Sequence, residues 1–189
     1  MNQFIPELTG RIRALLAEKE HIAIAIDGNC TAGKSTLAAV LEQQLPCRVI
    51  HMDDFFLQPH QRTEQRFATP GGNIDHERFA DEVIPGLVSG GVITFSPFDC
   101  GTRSLCPPVT LAASPITLVE GTYCLHPVLE HAYDLKVFLS ISPETQRQRI
   151  AQRPTFLHRR FFEEWIPMEQ LYFDTFGICE TCHMVYHTP

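Results

Sequence analysis

The stretch Gly28-Asn29-Cys30-Thr31-Ala32-Gly33-Lys34-Ser35 decides the fold that we expect for this chain of 189 residues. It follows an apolar run at residues 22–26, which is typical of a short buried strand. It precedes a segment in which apolar residues recur at helical spacing, at Leu37, Val40, Leu41 and Leu45. A G-x-x-x-x-G-K-S motif therefore lies between a strand and a helix, the context in which it indicates a phosphate-binding loop rather than a chance glycine-rich turn.

The residue types of this loop suit the phosphate chain of a nucleotide. Glycines let backbone N–H groups turn inward around phosphate oxygens, and the N-terminus of the following helix adds partial positive charge. Lys34 can reach the β- and γ-phosphates, and the Ser35 hydroxyl can bind Mg²⁺. We therefore expect the whole loop to bind the phosphates of a nucleotide, ATP or GTP, through Gly28, Asn29, Cys30, Thr31, Ala32, Gly33, Lys34, Ser35 and Thr36.

Composition limits the classes of protein to consider. The chain is 44% hydrophobic and 20% charged, with a net charge of -7 and no dense block of Lys and Arg, which argues against general nucleic-acid or acidic-membrane binding. No signal peptide and no apolar run of membrane-spanning length is visible, and the seven cysteines are scattered. We expect one cytoplasmic domain over residues 1–189, and we leave a homo-oligomer open.

Strand and helix patterns alternate along the chain. Helices are predicted at residues 4–18, after the loop to about residue 44, at 75–84, from residue 142 onward and at about 160–176. Strands are predicted at residues 22–26, 47–52, 116–119, 135–141 and 184–186. Residues 57–73 are predicted to form a loop, and residues 92–112 a β-hairpin excursion. This alternation predicts an α/β fold, a parallel sheet with helices on both faces.

Two acidic strand ends are candidate catalytic groups. Asp53 follows the second strand, where a carboxylate can accept the proton of an attacking hydroxyl; the alternative is a turn cap. Asp54 faces the other way if the strand alternation continues. Glu120 ends an apolar strand and can hold Mg²⁺ directly or through water, or it is simply an exposed strand end.

Five arginines follow the fourth strand, and some of them can close over a γ-phosphate. Of these we favour Arg149 and Arg153, which are one helical turn apart, and we expect a lid over about residues 153–160. A solvated helix face would show the same pattern.

These segments together resemble the uridine kinase and nicotinamide riboside kinase family of P-loop kinases, within the phosphoribulokinase/uridine kinase superfamily. The resemblance covers roughly residues 20–160 and is carried by Gly28-x4-Gly33-Lys34-Ser35, Ile50-His51-Met52-Asp53-Asp54-Phe55-Phe56, Val119-Glu120-Gly121 and Lys136-Val137-Phe138-Leu139.

The resemblance implies a kinase fold with an arginine-bearing lid that uses ATP and Mg²⁺ to phosphorylate a primary hydroxyl. Under it, Asp53 is the general base and Lys34 contacts phosphate. Ser35 and Glu120 serve the metal, while Arg149 and Arg153 are lid arginines.

The predicted acceptor site departs from the family pattern. Where uridine kinases have a Tyr and a His in the hairpin, this chain has Phe98 and Arg103. Phe98 can stack on a base, and Arg103 favours a carboxylate or phosphate. We count Phe56 with them as acceptor-binding. A nucleoside-like acceptor is the first hypothesis; a pantothenate- or sugar-type acceptor, or a nucleotide-binding regulatory ATPase, is the alternative.

A second motif, Cys179-x-x-Cys182-His183, matches a haem-attachment string and half of a zinc site. No second cysteine pair lies nearby, so we interpret these residues as packing and leave metal binding open.

Overall fold

The apolar run before the phosphate loop forms the central strand of a five-stranded parallel sheet in the computed structural model, which describes residues 3–154 and 157–189. In chain order the strands of this sheet are β1 (Ile22–Gly28), β2 (Cys47–His51), β7 (Ile116–Glu120), β8 (Leu135–Ile141) and β9 (Met184–Thr188). Their spatial order is β2-β7-β1-β8-β9. All neighbouring strands run parallel, which confirms the predicted sheet.

The helices lie on both faces of the sheet, as predicted. Helix bounds are α1 (Phe4–Leu16), α2 (Lys34–Gln44), α3 (Glu64–Ala68), α4 (His76–Glu82), α5 (Ile84–Ser89), α6 (Pro143–Ala151), α7 (His158–Arg160) and α8 (Ile166–Phe176). Side chains alternate along β1, so Ile24 packs with the apolar residues of α1 and α2. Ala25 faces the opposite core, to which α4, α5 and α8 contribute.

Helix boundaries follow local sequence signals. Ser142 caps α6 by accepting a hydrogen bond from the Thr145 N–H, and a proline begins that helix. Pro167 similarly lies in the first turn of α8, which follows a π-helical turn at Phe161–Trp165. The predicted helix over 75–84 is two helices, with Pro85 in the first turn of the second.

The segment predicted as a loop at 57–73 contains regular structure. It holds a 3-10 turn, Pro59–Gln61, and the short helix α3, which Thr63 caps. Arg66 fixes this helix by donating to the carbonyls of Gly72 and Ile74 and by pairing with Glu77. These partners lie 6 to 11 residues further on, beyond the reach of a local pattern.

The predicted excursion at 92–112 is a bent antiparallel hairpin. Strand β3 (Ile93–Phe95) pairs with β6 (Val109–Leu111), and β4 (Phe98–Asp99) pairs with β5 (Ser104–Leu105) nearer the tip. The predicted lid at 153–160 includes residues 155 and 156, which lie outside the described residues. Of the helices in the described ranges, none has the length and apolar character to cross a membrane.

Candidate active site

The register of the sheet brings three strand ends together. Glu120 at the end of β7 is the register partner of Ile26 in β1 and of His51 in β2. The phosphate loop begins at the end of β1, and a 3-10 turn carrying Asp53 follows β2. In parallel sheets this carboxyl edge is where ligands bind. The loop, Asp53 and Glu120 therefore share one edge.

Two glycines of the phosphate loop adopt positive φ values, which residues with side chains rarely adopt. Gly33 lies in the left-handed region at φ 100° and precedes α2, which no side chain caps and whose first turn has no acidic residue. The first N–H groups of α2 can therefore bind an anion. Gly28, at φ 134°, lies so close to β8 that an added Cβ would stand 2.0 Å from the Leu139 carbonyl oxygen.

Lys34 is held along this loop. Its Nζ donates to the carbonyl oxygens of Gly28 at 2.8 Å and Asn29 at 2.9 Å, and to the Thr122 hydroxyl at 3.1 Å. Thr122, which sequence reasoning did not select, lies two residues beyond Glu120 at the end of β7. A buried ammonium group thus lies at the strand ends, at the start of the phosphate loop.

Ser35 and Glu120, predicted separately as metal residues, are in direct contact. The Ser35 hydroxyl donates to Glu120 Oε1 at 3.0 Å, and His51 Nδ1 lies 2.6 Å from the same oxygen. The hydrogen bond with Glu120 raises the pKa of His51. A hydroxyl and a carboxylate are oxygen donors that suit Mg²⁺. Sequence reasoning missed His51, which ends strand β2 opposite Glu120 of β7.

Asp53 is exposed to solvent as a whole residue, yet protein atoms around its carboxyl group desolvate it. This desolvation raises the pKa of Asp53, and the charges of Glu120 and Asp54 act in the same direction while Lys34 opposes them. A carboxylate with a raised pKa is a stronger proton acceptor. The neighbouring Asp54 is half-buried, and its backbone carbonyl accepts a hydrogen bond from Arg78.

A fully buried carboxylate, Asp27, secures the end of β1. It accepts hydrogen bonds from the backbone N–H groups of Gly28 at 2.7 Å, Tyr123 at 3.2 Å and Leu125 at 3.0 Å, and from the Tyr172 hydroxyl at 2.9 Å. Burial raises the pKa of Asp27, while these hydrogen bonds act to lower it. Asp27 thereby joins the phosphate loop to the segment after β7 and to α8.

A second buried carboxylate, Glu169 of α8, holds the middle of the phosphate loop. Its Oε2 accepts from the Cys30 backbone N–H at 2.9 Å, and its Oε1 accepts from the Gln146 amide at 3.1 Å. The same Gln146 amide donates to the Cys30 carbonyl at 3.2 Å. Both peptide groups of Cys30 are thus fixed by side chains from α6 and α8. Neither residue had a sequence signal, since both partners lie more than 110 residues from the loop.

The three predicted acceptor residues differ in their surroundings. Phe98 is 5% exposed, and the guanidinium of Arg62, which sequence reasoning missed, lies 5.5 Å from its ring centroid. Phe56 is half-buried and bridges to Ile74. Arg103 is exposed at the hairpin tip with φ 58°. Strand β4, which carries Phe98, packs against the 3-10 turn of Asp53.

The two favoured lid arginines have different partners. Arg149 donates to the carbonyl oxygens of Thr31 in the phosphate loop, at 3.0 Å, and of Pro189, at 3.2 Å. Arg153 lies over the Phe161 ring at 5.6 Å. Two of the other arginines form i,i+4 ion pairs on exposed helix surface, as the alternative interpretation expected: Arg159 with Glu163 and Arg160 with Glu164.

The cysteine motif near the C-terminus has internal partners. The Cys182 thiol donates to the Ile178 carbonyl, and His183 Nδ1 accepts from the Lys136 backbone N–H. No group of three or more metal-ligating side chains occurs in residues 3–154 and 157–189.

The parallel sheet and the phosphate loop at its carboxyl edge define an α/β fold of the P-loop type. Solved structures of this fold match nearly the whole chain. A possible uridine kinase from Bacillus stearothermophilus is 20% identical, with a TM-score of 0.65 over 95% of this chain and 99% of that one. YFH7 from Saccharomyces cerevisiae, a candidate P-loop containing kinase with a circular permutation, is 11% identical, with a TM-score of 0.67 over 98% and 99%. A candidate fructose transport system kinase from Silicibacter sp. TM1040 is 18% identical, with a TM-score of 0.54 over 95% and 98%.

No protein-family model matches the sequence, and no curated protein matches it. At these identities the structural matches establish the fold, and they confirm the α/β P-loop architecture predicted from the sequence.

Proposed function

We propose that this protein is an ATP-dependent kinase that transfers the γ-phosphoryl group to a hydroxyl group of a small molecule. The observation that carries the proposal is the convergence of the phosphate loop, the Ser35–Glu120 contact and Asp53 at one edge of the sheet. Phosphoryl transfer requires a cradle for the phosphates, a site for Mg²⁺ and a group that accepts the proton of the attacking hydroxyl. The phosphate loop would supply the cradle, Ser35 and Glu120 the site for Mg²⁺, and Asp53 the proton acceptor.

ATP and Mg²⁺ fit the residues that are present. The uncapped first turn of α2 offers N–H groups to phosphate oxygens, and Lys34 offers its ammonium group at the start of the same loop. Ser35 and Glu120 would hold Mg²⁺, which neutralises charge on the phosphates when bound. Asp27 and Glu169 accept hydrogen bonds from backbone N–H groups of the loop and fix its conformation, so the loop needs little reorganisation when the phosphates bind.

Asp53 would act as the general base. It is reachable from solvent, and desolvation in the cleft moves its pKa upward, toward neutral pH. A base works best when its pKa lies near the working pH, because it is then both deprotonated and able to take a proton. The acceptor hydroxyl would approach Asp53 from the side of the hairpin, since β4 packs against the turn that carries this carboxylate.

The identity of the acceptor follows less directly. A nucleoside-like compound is supported by the family resemblance and by the fold shared with the possible uridine kinase. The match to the candidate fructose transport system kinase shows that the same fold also occurs in a protein described by another acceptor class. A pantothenate- or sugar-type acceptor is therefore the alternative within the same reaction.

The test is ADP release with ATP and Mg²⁺ across a panel of uridine, cytidine, nicotinamide riboside, pantothenate and simple sugars. We expect turnover that depends on one class of acceptor. Asp53→Asn should lower this turnover by about 10²- to 10⁴-fold while ATP still binds, the range typical of general-base catalysis. Asp54→Asn, the same chemical change one residue away, is the matched control and should retain most of the activity. ADP release that ignores every acceptor would contradict the proposal and favour a nucleotide-binding regulatory ATPase.

A further inference from the structure

Arg62 has described contacts but no carboxylate partner among the described residues. Arg11, Arg48 and Arg149 likewise lack one, and each of these three donates to backbone carbonyls. Several of the others are paired with a carboxylate: Arg66 with Glu77, Arg78 with Asp75, Arg159 with Glu163 and Arg160 with Glu164. Within residues 3–154 and 157–189, no carboxylate pairs with Arg62. It is exposed, and its only hydrogen bond in these ranges is from Nε to the Leu57 carbonyl oxygen at 2.9 Å.

The guanidinium of Arg62 is nevertheless held in place. One edge is tied to the backbone through Nε, and the group lies against the Phe98 ring, 5.5 Å from its centroid. The opposite edge, formed by the two terminal nitrogens, has no acceptor in the described part of the chain. Two parallel N–H groups on a planar, anchored guanidinium match the two oxygens of a carboxylate or phosphate.

Three observations place Arg62 near the hairpin and the proposed base. Phe98 belongs to β4, which packs against the turn that carries Asp53. Leu57, to which Arg62 is tied, follows the same turn by two residues. Arg62 and Asp53 both lie close enough to Cys100 to affect the pKa of its thiol, in opposite directions. Arg62, the hairpin and the proposed base therefore line one region.

We propose that the acceptor is an anion, and that Arg62 binds its carboxylate or phosphate group while the hydroxyl to be phosphorylated lies at Asp53. The inference rests on the proposed kinase function and narrows its substrate class. This binding mode also keeps like charges apart. The negative group of the acceptor lies at Arg62, beside the hairpin, and its hydroxyl lies at the Asp53 carboxylate. A neutral acceptor would leave the fixed guanidinium edge facing solvent with nothing to recognise.

The experiment measures kcat and KM for matched acceptor pairs. Pantothenate and its amide, and nicotinate riboside and nicotinamide riboside, test a carboxylate; ribose 5-phosphate and ribose test a phosphate. We expect the anionic member of one pair to be preferred at least tenfold in kcat/KM. Arg62→Gln should lower kcat/KM for that anion by about 10- to 100-fold, mainly through KM, which corresponds to losing one or two charge-assisted hydrogen bonds. The KM for ATP and turnover of the neutral partner should stay within about twofold.

Two further variants locate the effect. Arg62→Lys keeps the positive charge but loses the bidentate hydrogen bonding of a guanidinium. Its kcat/KM for the anionic acceptor should therefore lie between those of the wild type and Arg62→Gln. Arg103→Gln removes a hairpin arginine that has no such anchor and should change anion selectivity less. A selective loss in Arg103→Gln but not in Arg62→Gln would overturn the assignment to Arg62.

The outcomes also separate this inference from the proposed function. Acceptor-dependent turnover that favours the neutral members, or an equal loss for both members in Arg62→Gln, would overturn the anionic acceptor and leave the kinase standing. Turnover with none of the acceptors in either panel would overturn both. Circular dichroism of the Arg62 variants should match the wild type, because the side chain is exposed.

Discussion

Replacing Gly28 by alanine tests whether the phosphate loop depends on the close approach of β1 and β8. An added Cβ would stand 2.0 Å from the Leu139 carbonyl oxygen and 2.7 Å from the Leu139 backbone nitrogen, and both are backbone atoms that no rotamer change can move. The residue also adopts φ 134°, which an L side chain rarely does. Backbone strain of this kind costs about 1–3 kcal/mol and overpacking costs about 1–3 kcal/mol, so Gly28→Ala should lose about 2–6 kcal/mol of stability.

Gly10 provides the matched control. It lies inside α1 with nothing within 4 Å of its added Cβ, so the same substitution meets no steric cost. Alanine is favoured over glycine within a helix, and Gly10→Ala should stabilise the protein by about 0.5–1 kcal/mol. One chemical change is therefore expected to have opposite signs at the two positions.

Urea unfolding followed by circular dichroism measures both effects. With a denaturant slope of about 2–3 kcal/mol per M, the midpoint should fall by about 0.7–3 M for Gly28→Ala and rise by about 0.2–0.5 M for Gly10→Ala. Introducing Gly28→Ala into the Gly10→Ala background keeps the weaker variant measurable. A midpoint for Gly28→Ala within about 0.3 M of the wild type would refute the reasoning, because it would mean that the backbone of β8 moves aside with little loss of stability.

Three other perturbations address the site itself. Lys34→Ala should lower phosphoryl transfer by about 10²-fold or more with the far-UV circular dichroism unchanged, and a folded variant with full activity would contradict the role of the loop. Glu169→Ala leaves the Cys30 N–H without its buried acceptor, so we expect a loss of about 1–3 kcal/mol in urea unfolding and a higher KM for ATP; an unchanged KM would argue against control of the loop from α8. The hydrogen bond to Glu120 raises the pKa of His51, so protonated His51 stabilises the fold fully below about pH 6.5 and this contribution is lost as the pH rises through the folded-state pKa. His51→Asn should therefore lower the urea midpoint more at pH 6 than at pH 9, and an equal change at both values would exclude the pairing.

The fold could be predicted because its main signals are local. Three of these signals each span only a few residues: the apolar run before Gly28, the helical spacing from Leu37 onward and the proline after Ser142. The structure contains the predicted element in each case, namely β1, α2 and α6. The order of the strands, β2-β7-β1-β8-β9, depends on pairing between distant segments, and no local signal predicts it. The segment at 57–73 was predicted as loop because α3 depends on Arg66, whose partners are not local.

The two buried carboxylates at the phosphate loop could not be predicted for the same reason. In the sequence, Asp27 resembles any polar residue at the end of an apolar strand. One of its four hydrogen-bond donors is the neighbouring Gly28, and the other three, Tyr123, Leu125 and Tyr172, belong to distant segments. Glu169 lies in a helix with no charge pattern that marks it. A sequence pattern reports which side chains share a face of one element, whereas these carboxylates are defined by contacts among four separate segments.

The charge of the site follows from these hidden residues. Sequence reasoning counted two acids, Asp53 and Glu120, against one lysine. The structure adds Asp27 and Glu169, and the charge of Lys34 lowers the pKa of each of these two and of Asp53. His51, whose pKa the hydrogen bond with Glu120 raises, adds a second positive group at this edge and also lowers the pKa of Asp53. ATP would bring further negative charge to the same edge, and a divalent cation held by Ser35 and Glu120 would offset part of it. The arrangement of these groups is therefore a reason, beside the family resemblance, to expect that Mg²⁺ and ATP bind together.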